Sequence, residues 1–481
     1  MDFNDVLYLL VLIFSVCFGK YVTQITDVDK KQRVCTLAGF CIVLVTARTQ
    51  CVYSIGLVAV NAFIILKIRR FSLVLTFVFS FVLLILLRYY QCLSGHSNLI
   101  QMMLTLKLIG LSYELHDNQQ LLSEINSCHR DLDTAENLQY LLLPHSEISL
   151  INIVHYCFCY VGVLTGPYYK YQTYLDLFNP RINQSSHSNI LAVFTRLKYL
   201  PFYVTVFLCL SYFYSVQYVL DDSFYSAHTC LYRWWYSLPV FFTFKFRLYI
   251  GLLLSEAVAI MVGLGAYPGF TDSRPGQGPT ANVIAFRKIA LGESEFQPCQ
   301  RDCIDFNTVY SIHIGGVETE PTLKRTIKLW NTTVQYWMYQ NVYRRVTERK
   351  LRIPLVFFIS ALWHGLHSGY YLSICYMPVY LYIEDLYANK LRNLFHNKTW
   401  PSCLNALLFV SKTVTSSSLC MCFVLLNLSS IGRYFVSIYF LPFLLHAVIY
   451  LGGKYVASQT VKTSPYRLTN NNNSLCLKKT S

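Results

Sequence analysis

Apolar runs of membrane-spanning length follow one another along this chain, separated by turns too short to hold a soluble domain. Windows near 6–19, 36–47, 51–66, 71–90 and 99–113 come first, and only Thr49 and Gln50 turn the chain between the second and third. About 20 apolar residues make one bilayer crossing, so the 36–47 window is short for a full span. Only structures that satisfy their own backbone can sit there, and runs of this kind do so as helices. Further spans are expected at 202–220, 370–386, 404–428 and 432–451, with 234–267 forming one tilted span or two broken ones. Composition agrees: 54% of residues are hydrophobic and 14% charged, against roughly a quarter charged in soluble domains. The expected fold is therefore all-α and polytopic, with a membrane-embedded domain over 1–451 and a low-complexity, disordered tail over 452–481. Polar connectors lie at 114–147 and 268–325. The first carries Glu114, Asp117, Asp131, Asp133 and Glu136 and reads as solvated and partly helical; the second reads as a surface excursion with short amphipathic helices.

A net charge of +15 raises the question of nucleic acid, but the basic residues are scattered through short turns rather than gathered on one polar domain. The positive-inside rule accounts for that pattern. Lys30, Lys31 and Arg33 mark one turn and Lys67, Arg69 and Arg70 the next on that side, while 91–98 holds no Lys or Arg. The basic turns are expected in the cytosol and the N-terminus in the lumen. The natural partners are then the lipid bilayer, acidic phospholipids and coenzyme A phosphates, with no nucleic acid. Many of the 17 cysteines lie inside apolar runs and read as small buried residues. Cys299 and Cys303 lack the companion ligands a zinc site needs.

Chemistry concentrates between Trp330 and Tyr371. WNTTVQYWMYQNVYRR is followed by VTERKLRIP and LVFFISALWHGLHSGYY. Arg344, Arg345, Arg349, Lys350 and Arg352 form a basic turn that should mark one membrane surface. Asn331 stands 13 residues before Arg344, and His364 stands 12 after Arg352. At about 1.5 Å per helical residue, both lie roughly 18–20 Å below that surface, so an antiparallel helix pair would bring an amide and an imidazole level. That pair suits acyl transfer. A neutral imidazole can take the proton of an attacking alcohol, and an amide can hydrogen-bond the oxygen that gains charge. The plainer alternative is that His364 bonds a neighbouring helix and Asn331 serves helix packing.

WNTTVQYW and SALWHGLHSGYY resemble the asparagine and histidine motifs of the membrane-bound O-acyltransferase family. YVGVLTGPYYKYQTYLDLF at 160–178, LPVFFTFKFRLYIGLLLSEAVAIMVGLGAYP at 238–268 and MCFVLLNLSSIGRYFVSIYF at 421–440 look like the branch that acylates lysophosphatidylinositol. The likeness runs from about Leu99 to Tyr450. It implies a bundle of about 11 transmembrane helices around a substrate tunnel, His364 as the catalytic residue and Asn331 as its partner. It also implies acyl-CoA as co-substrate with no bound cofactor or metal, a lysophosphatidylinositol or related lysophospholipid acceptor, and a polyunsaturated, arachidonoyl-type donor. Lys478 and Lys479 look like a dilysine retrieval signal, which points to the endoplasmic-reticulum membrane.

Around this centre, Trp330, Tyr336 and Trp363 are assigned to substrate contact, and Lys324, Arg325, Arg344 and Arg345 to the phosphates of coenzyme A. Lys245, Arg247 and Glu256 sit among apolar residues, where an isolated charge costs at least about 2.5 kcal/mol. Lys245 and Arg247 are candidates for a lysophospholipid phosphate or simply snorkel to an interface. Lys245 and Glu256 are too far apart along one helix to pair, so each needs a partner elsewhere. Gly166-Pro167 must interrupt a helix; with the neighbouring tyrosines and Lys170 this stretch either anchors at the interface or, by the resemblance, lines the substrate entrance. Ser360, one turn before His364, is a possible nucleophile, and His367 reads as packing or orienting. Competing functions are acylation of another lysophospholipid, a sterol or a protein; a transporter with His364 on the solute path; and a silent lipid-binding scaffold.

Overall fold

Helix lets an apolar run keep its N–H and C=O groups paired away from water, and the apolar windows adopt it. The structure, a computed structural model, describes residues 3–127, 138–143, 148–182, 186–295, 304–387 and 400–463. Five long helices open the chain: α1 (Phe3–Thr23), α2 (Val28–Ala47), α3 (Cys51–Lys67), α4 (Ser72–Tyr89) and α5 (Gly95–Ser127). Shorter α6 (Leu150–Cys157), α7 (Tyr171–Leu177), α8 (Ser186–Leu197) and α9 (Leu200–Phe213) precede the 33-residue α10 (Cys230–Val262). Next come α11 (Val283–Leu291), α12 (Ile314–Thr319), α13 (Leu323–Lys328), α14 (Thr332–Asn341) and α15 (Arg349–His364). The last four are α16 (Ser368–Asp385), α17 (Trp400–Leu425), α18 (Leu428–Ser437) and α19 (Leu441–Thr463). One antiparallel pair, β1 (Tyr267–Pro268) with β2 (Ile304–Asp305), closes the base of the excursion between α10 and α14.

Among the described residues, five helical runs are long and apolar enough to cross a bilayer, and the bent α18–α19 pair makes a sixth. The helices that carry the motifs fall outside that set. α15 has only 16 residues, and α10 carries Lys245, Arg247 and Glu256. The helices that carry the motifs are thus set apart by their shortness or their polar groups.

The molecule is built around α5. Every residue from Ile100 to Ser112 is buried, as in a helix enclosed on all sides. One face packs with α2, α3, α6 and α10 in the main core. The other joins Phe81 and Leu84 of α4 to Trp337 and Met338 of α14 and to Ile359 and Trp363 of α15. Lys107, fully buried at its middle, is satisfied by three oxygens: Tyr156 O at 3.2 Å, Val161 O at 3.4 Å and Tyr169 Oη at 3.1 Å.

Several sequence expectations are corrected. The short second window belongs to a 20-residue helix, because Asp27 caps it with a bond from Lys30 N at 2.9 Å and the charged first turn joins it. Of the two alternatives left open for 234–267, the single helix holds: α10 runs unbroken from Cys230 to Val262 with Pro239 inside. The run from Ile148 stays helical only to Cys157, well before Gly166-Pro167. Irregular backbone follows, and Tyr168, Tyr169, Tyr171 and Tyr174 are buried in the protein, so they do not anchor a membrane interface. Glu114 lies on α5, where its carboxylate accepts Tyr171 N at 2.8 Å and Gln172 N at 3.2 Å and so caps α7. The 268–325 excursion returns into the bundle: Thr308, Val309, Ser311 and Ile312 are buried, and Lys412 of α17 reaches Val317 O at 3.4 Å. The terminal helix extends to Thr463, beyond the expected boundary at 451. Asp131, Asp133, Glu136, Cys299, Cys303, Lys478 and Lys479 lie outside the described residues.

Candidate functional site

His364 is the last residue of α15, at the turn where the α15–α16 hairpin reverses. Phe358 and Tyr371 meet across that hairpin, ring centroids 6.0 Å apart. α15 is unbroken from Arg352 to His364, as the depth count assumed. Aromatic rings surround the imidazole: Trp363 at 5.0 Å, Phe423 of α17 at 5.4 Å and Tyr370 at 6.1 Å. Gly365 follows because a Cβ there would lie 2.4 Å from Tyr370 Cε2. The helix end is also tied down from outside. Trp363 Nε1 donates to Met102 O at 3.1 Å on α5, and Arg88 of α4 donates to Leu362 O at 2.9 Å and Trp363 O at 2.7 Å. Ser360 makes no hydrogen bond to His364, and His367 is exposed at the start of α16.

Asn331 is placed differently from the expectation. It does not sit within a helix but precedes α14, with φ 47° and ψ 49°, a left-handed conformation that asparagine tolerates better than most residues. Its carbonyl accepts Gln335 N at 3.0 Å, while its side chain caps no helix. The Gln335 amide donates back to Ile327 O and Trp330 O, closing the turn. Thr332 N donates to Ser311 O at 2.8 Å and His313 N to Leu329 O at 3.0 Å, so segments 310–313 and 329–332 run side by side. Beneath them lies the fully buried Glu256 of α10, which accepts Ser311 N at 2.6 Å and Ile312 N at 3.1 Å and pairs with Arg196 of α8. The partner that the sequence could not name for Glu256 is thus a neighbouring helix together with the backbone that holds Asn331.

Both motif arms are fastened to α5 rather than simply paired with each other. Trp337 Nε1 donates to Leu106 O at 2.9 Å, four residues from the Met102 carbonyl that takes Trp363. Trp337 and Trp363 thus dock on adjacent turns of α5, with Asn331 six residues before the first indole and His364 directly after the second. The motifs also border α10 five residues apart. His364 reaches it through Phe423 and Phe244 (5.3 Å between centroids), and Trp330 through Tyr249 (5.9 Å). No hydrogen bond joins the Asn331 and His364 side chains.

The remaining candidates divide. Tyr168 N donates to Thr333 Oγ1 at 3.3 Å, so the buried Gly166-Pro167 turn lies against α14. Tyr336 closes over Gly276, which has φ +71° and where a Cβ would lie 3.0 Å from Tyr336 Cδ1, leaving no room for a side chain. Lys245 and Arg247 do not converge on one phosphate. Lys245 is buried and paired with Glu318 at 2.9 Å, whereas Arg247 is 63% exposed and pairs with Asp5 at 3.2 Å; residues two apart on a helix face different directions. Lys324 pairs with Asp385 at 3.1 Å, Arg325 with Glu320 at 3.7 Å and Arg345 with Asp117 at 2.6 Å, and Arg344 bonds Gln340 at 3.0 Å. Because α16 returns antiparallel to α15, Asp385 and Arg349 lie on one side of the hairpin, and these four cations edge that side. A separate cleft lined by Arg69, Ser72, Ser112 and His116 touches neither motif.

Sequence reasoning passed over Arg88, Arg196, Lys107 and Phe423. Arg88 closes an apolar run and so reads as an interface anchor, and Lys107 is one charge within a long apolar stretch. Both carry the same intramembrane-charge signal that singled out Glu256.

Residues 95–430, from the first turn of α5 into α18, match the membrane-bound O-acyltransferase (MBOAT) family. The chain is 31% identical to the membrane-bound acylglycerophosphatidylinositol O-acyltransferase frj of Drosophila melanogaster, over 95% of this chain and 94% of the fly protein. It is 28% identical to the mboat7 protein of Xenopus laevis, over 95% of both chains. With human MBOAT7, which bears the same acylglycerophosphatidylinositol O-acyltransferase description, identity is 32% over 74% of this chain and 73% of that one.

Proposed function

Because this chain belongs to the membrane-bound O-acyltransferase family and is a multi-pass membrane acyltransferase, we propose that it acylates the free sn-2 hydroxyl of lysophosphatidylinositol with an acyl-CoA donor. The head group is the one in its relatives' description, acylglycerophosphatidylinositol. A polyunsaturated donor, coenzyme A phosphates near Arg344, Arg345, Lys324 and Arg325, and residence in the endoplasmic reticulum belong to the same reading.

The observation that carries it is an imidazole at the end of α15, whose last turn is bonded to α4 and α5, together with an asparagine whose side chain is not spent on capping. His364 takes the proton from the sn-2 hydroxyl as its oxygen attacks the thioester carbonyl. The oxyanion that forms draws a hydrogen bond from the Asn331 amide. When the C–S bond breaks, the thiolate of coenzyme A takes the proton back from the imidazolium, so no net proton or water is needed. Direct transfer fits a site in which Ser360 is not hydrogen-bonded to His364.

The test is an assay of microsomes containing the parental protein or H364A at matched abundance. Each is offered arachidonoyl-CoA with lysophospholipids bearing inositol, choline, ethanolamine or serine head groups. The parental protein should favour inositol, and H364A should lose about a hundredfold or more of its activity. Parental turnover by H364A would refute the base assignment; a preference for another head group would refute the acceptor.

A further inference from the structure

Arg88 ends the apolar run of α4, and its side chain spans to a helix 274 residues further along the chain. Three of its nitrogens are used: Nη1 donates to Leu362 O at 2.9 Å, Nη2 to Trp363 O at 2.7 Å and Nε to Asn98 Oδ1 at 2.8 Å. Both carbonyls belong to the last turn of α15, immediately before His364. A helix end leaves four carbonyls without an intrahelical partner. Here Gly365 N serves Ala361 O at 3.0 Å, and the chain then departs into α16 after three residues, so the next two carbonyls depend on a donor from elsewhere. Water can supply that donor at a surface but not among apolar helices.

We propose that Arg88 is a positioning residue for His364, fixing the last turn of α15 so that the imidazole meets the acceptor hydroxyl in one orientation. The guanidinium is flat, and its two parallel donors fit two adjacent carbonyls only when that turn occupies one place. Its charge also faces the negative end of the helix dipole, a contact strengthened by low dielectric. Asn98, on the first turn of α5, holds the third edge of the fork. One turn further along α5, Met102 O holds the Trp363 indole. The main chain and the side chain just before His364 are therefore fastened to two different helices. A lysine, with one compact ammonium, cannot reproduce the fork.

This inference rests on His364 acting in the reaction, and the experiment separates the two claims. The full-length enzyme is purified in detergent as R88K, R88A, N98A and H364A, and kcat and KM are measured per folded molecule, with folding scored by melting temperature and monodispersity. R88K should lose about a hundredfold in kcat while KM for both substrates stays at the parental value, R88A should lose more, and N98A less. Parental kcat in R88K overturns the proposal, as does a deficit that follows loss of folded protein alone or appears only in KM. If both Arg88 variants fail to fold, N98A decides: a lowered kcat supports the proposal and a parental one overturns it. An inactive H364A beside an unimpaired R88K removes the role of Arg88 alone, whereas an active H364A removes the base assignment on which it depends.

Discussion

Asn331 combines two demands, a left-handed backbone (φ 47°) and an amide left free of capping. Glycine meets the first without the second, which makes N331G the informative substitution. Its melting temperature should stay near the parental value, since glycine takes this conformation at no steric cost. Its kcat should fall by about a hundredfold, the usual loss when one oxyanion donor is removed. Parental turnover in N331G would mean that the residue serves the turn and not the chemistry. Residue types and spacing singled out Asn331 and His364 as candidates, because a polar group among apolar neighbours is costly. Nothing local indicated that Asn331 lies outside a helix, since the turn is imposed by Ser311 O, Tyr310 O and the Gln335 amide, contacts with segments as much as 22 residues away.

The decisive elements are α5 and α10. Each had been expected as an ordinary or broken span, and each is a 33-residue helix that organises one side of the site. α5 accepts the indoles of both motifs one turn apart. α10 supplies Glu256, which binds the backbone beneath Asn331. Replacing Glu256 with glutamine keeps the shape but leaves the Arg196 guanidinium without a counter-charge in the interior. Removing one partner of a buried pair costs roughly 3–5 kcal/mol, so E256Q should melt well below the parental enzyme in detergent. The double variant E256Q/R196M, with no orphaned charge, should recover part of that loss. A melting temperature unchanged in E256Q would show that the pair contributes little. The apolar pattern could announce neither role, because it records that a helix is buried and not which neighbours its polar atoms meet.

At the scale of the whole molecule, basic turns and apolar runs fix which ends of the helices face water. Arg349 and Lys350 are exposed at the open end of the α15–α16 hairpin, the side also edged by Arg345 and Lys324. An added cysteine there (K350C) in sealed microsomes should react with a membrane-impermeant maleimide without permeabilisation, placing that edge in the cytosol. Labelling only after detergent would reverse the orientation. The sequence by itself determined that the chain is a helical membrane protein, where most of its helices lie, and that one amide and one imidazole stand out in the two arms flanking a basic turn, because hydrocarbon penalises unpaired polar groups and so makes them conspicuous. Tertiary structure alone decided that Arg88 and Glu256 hold the two motifs, that Lys245 and Arg247 part company, and that the 310–328 segment folds back into the bundle. Those outcomes depend on which helices become neighbours, and a hydrogen bond across hundreds of residues leaves no periodic trace along the chain.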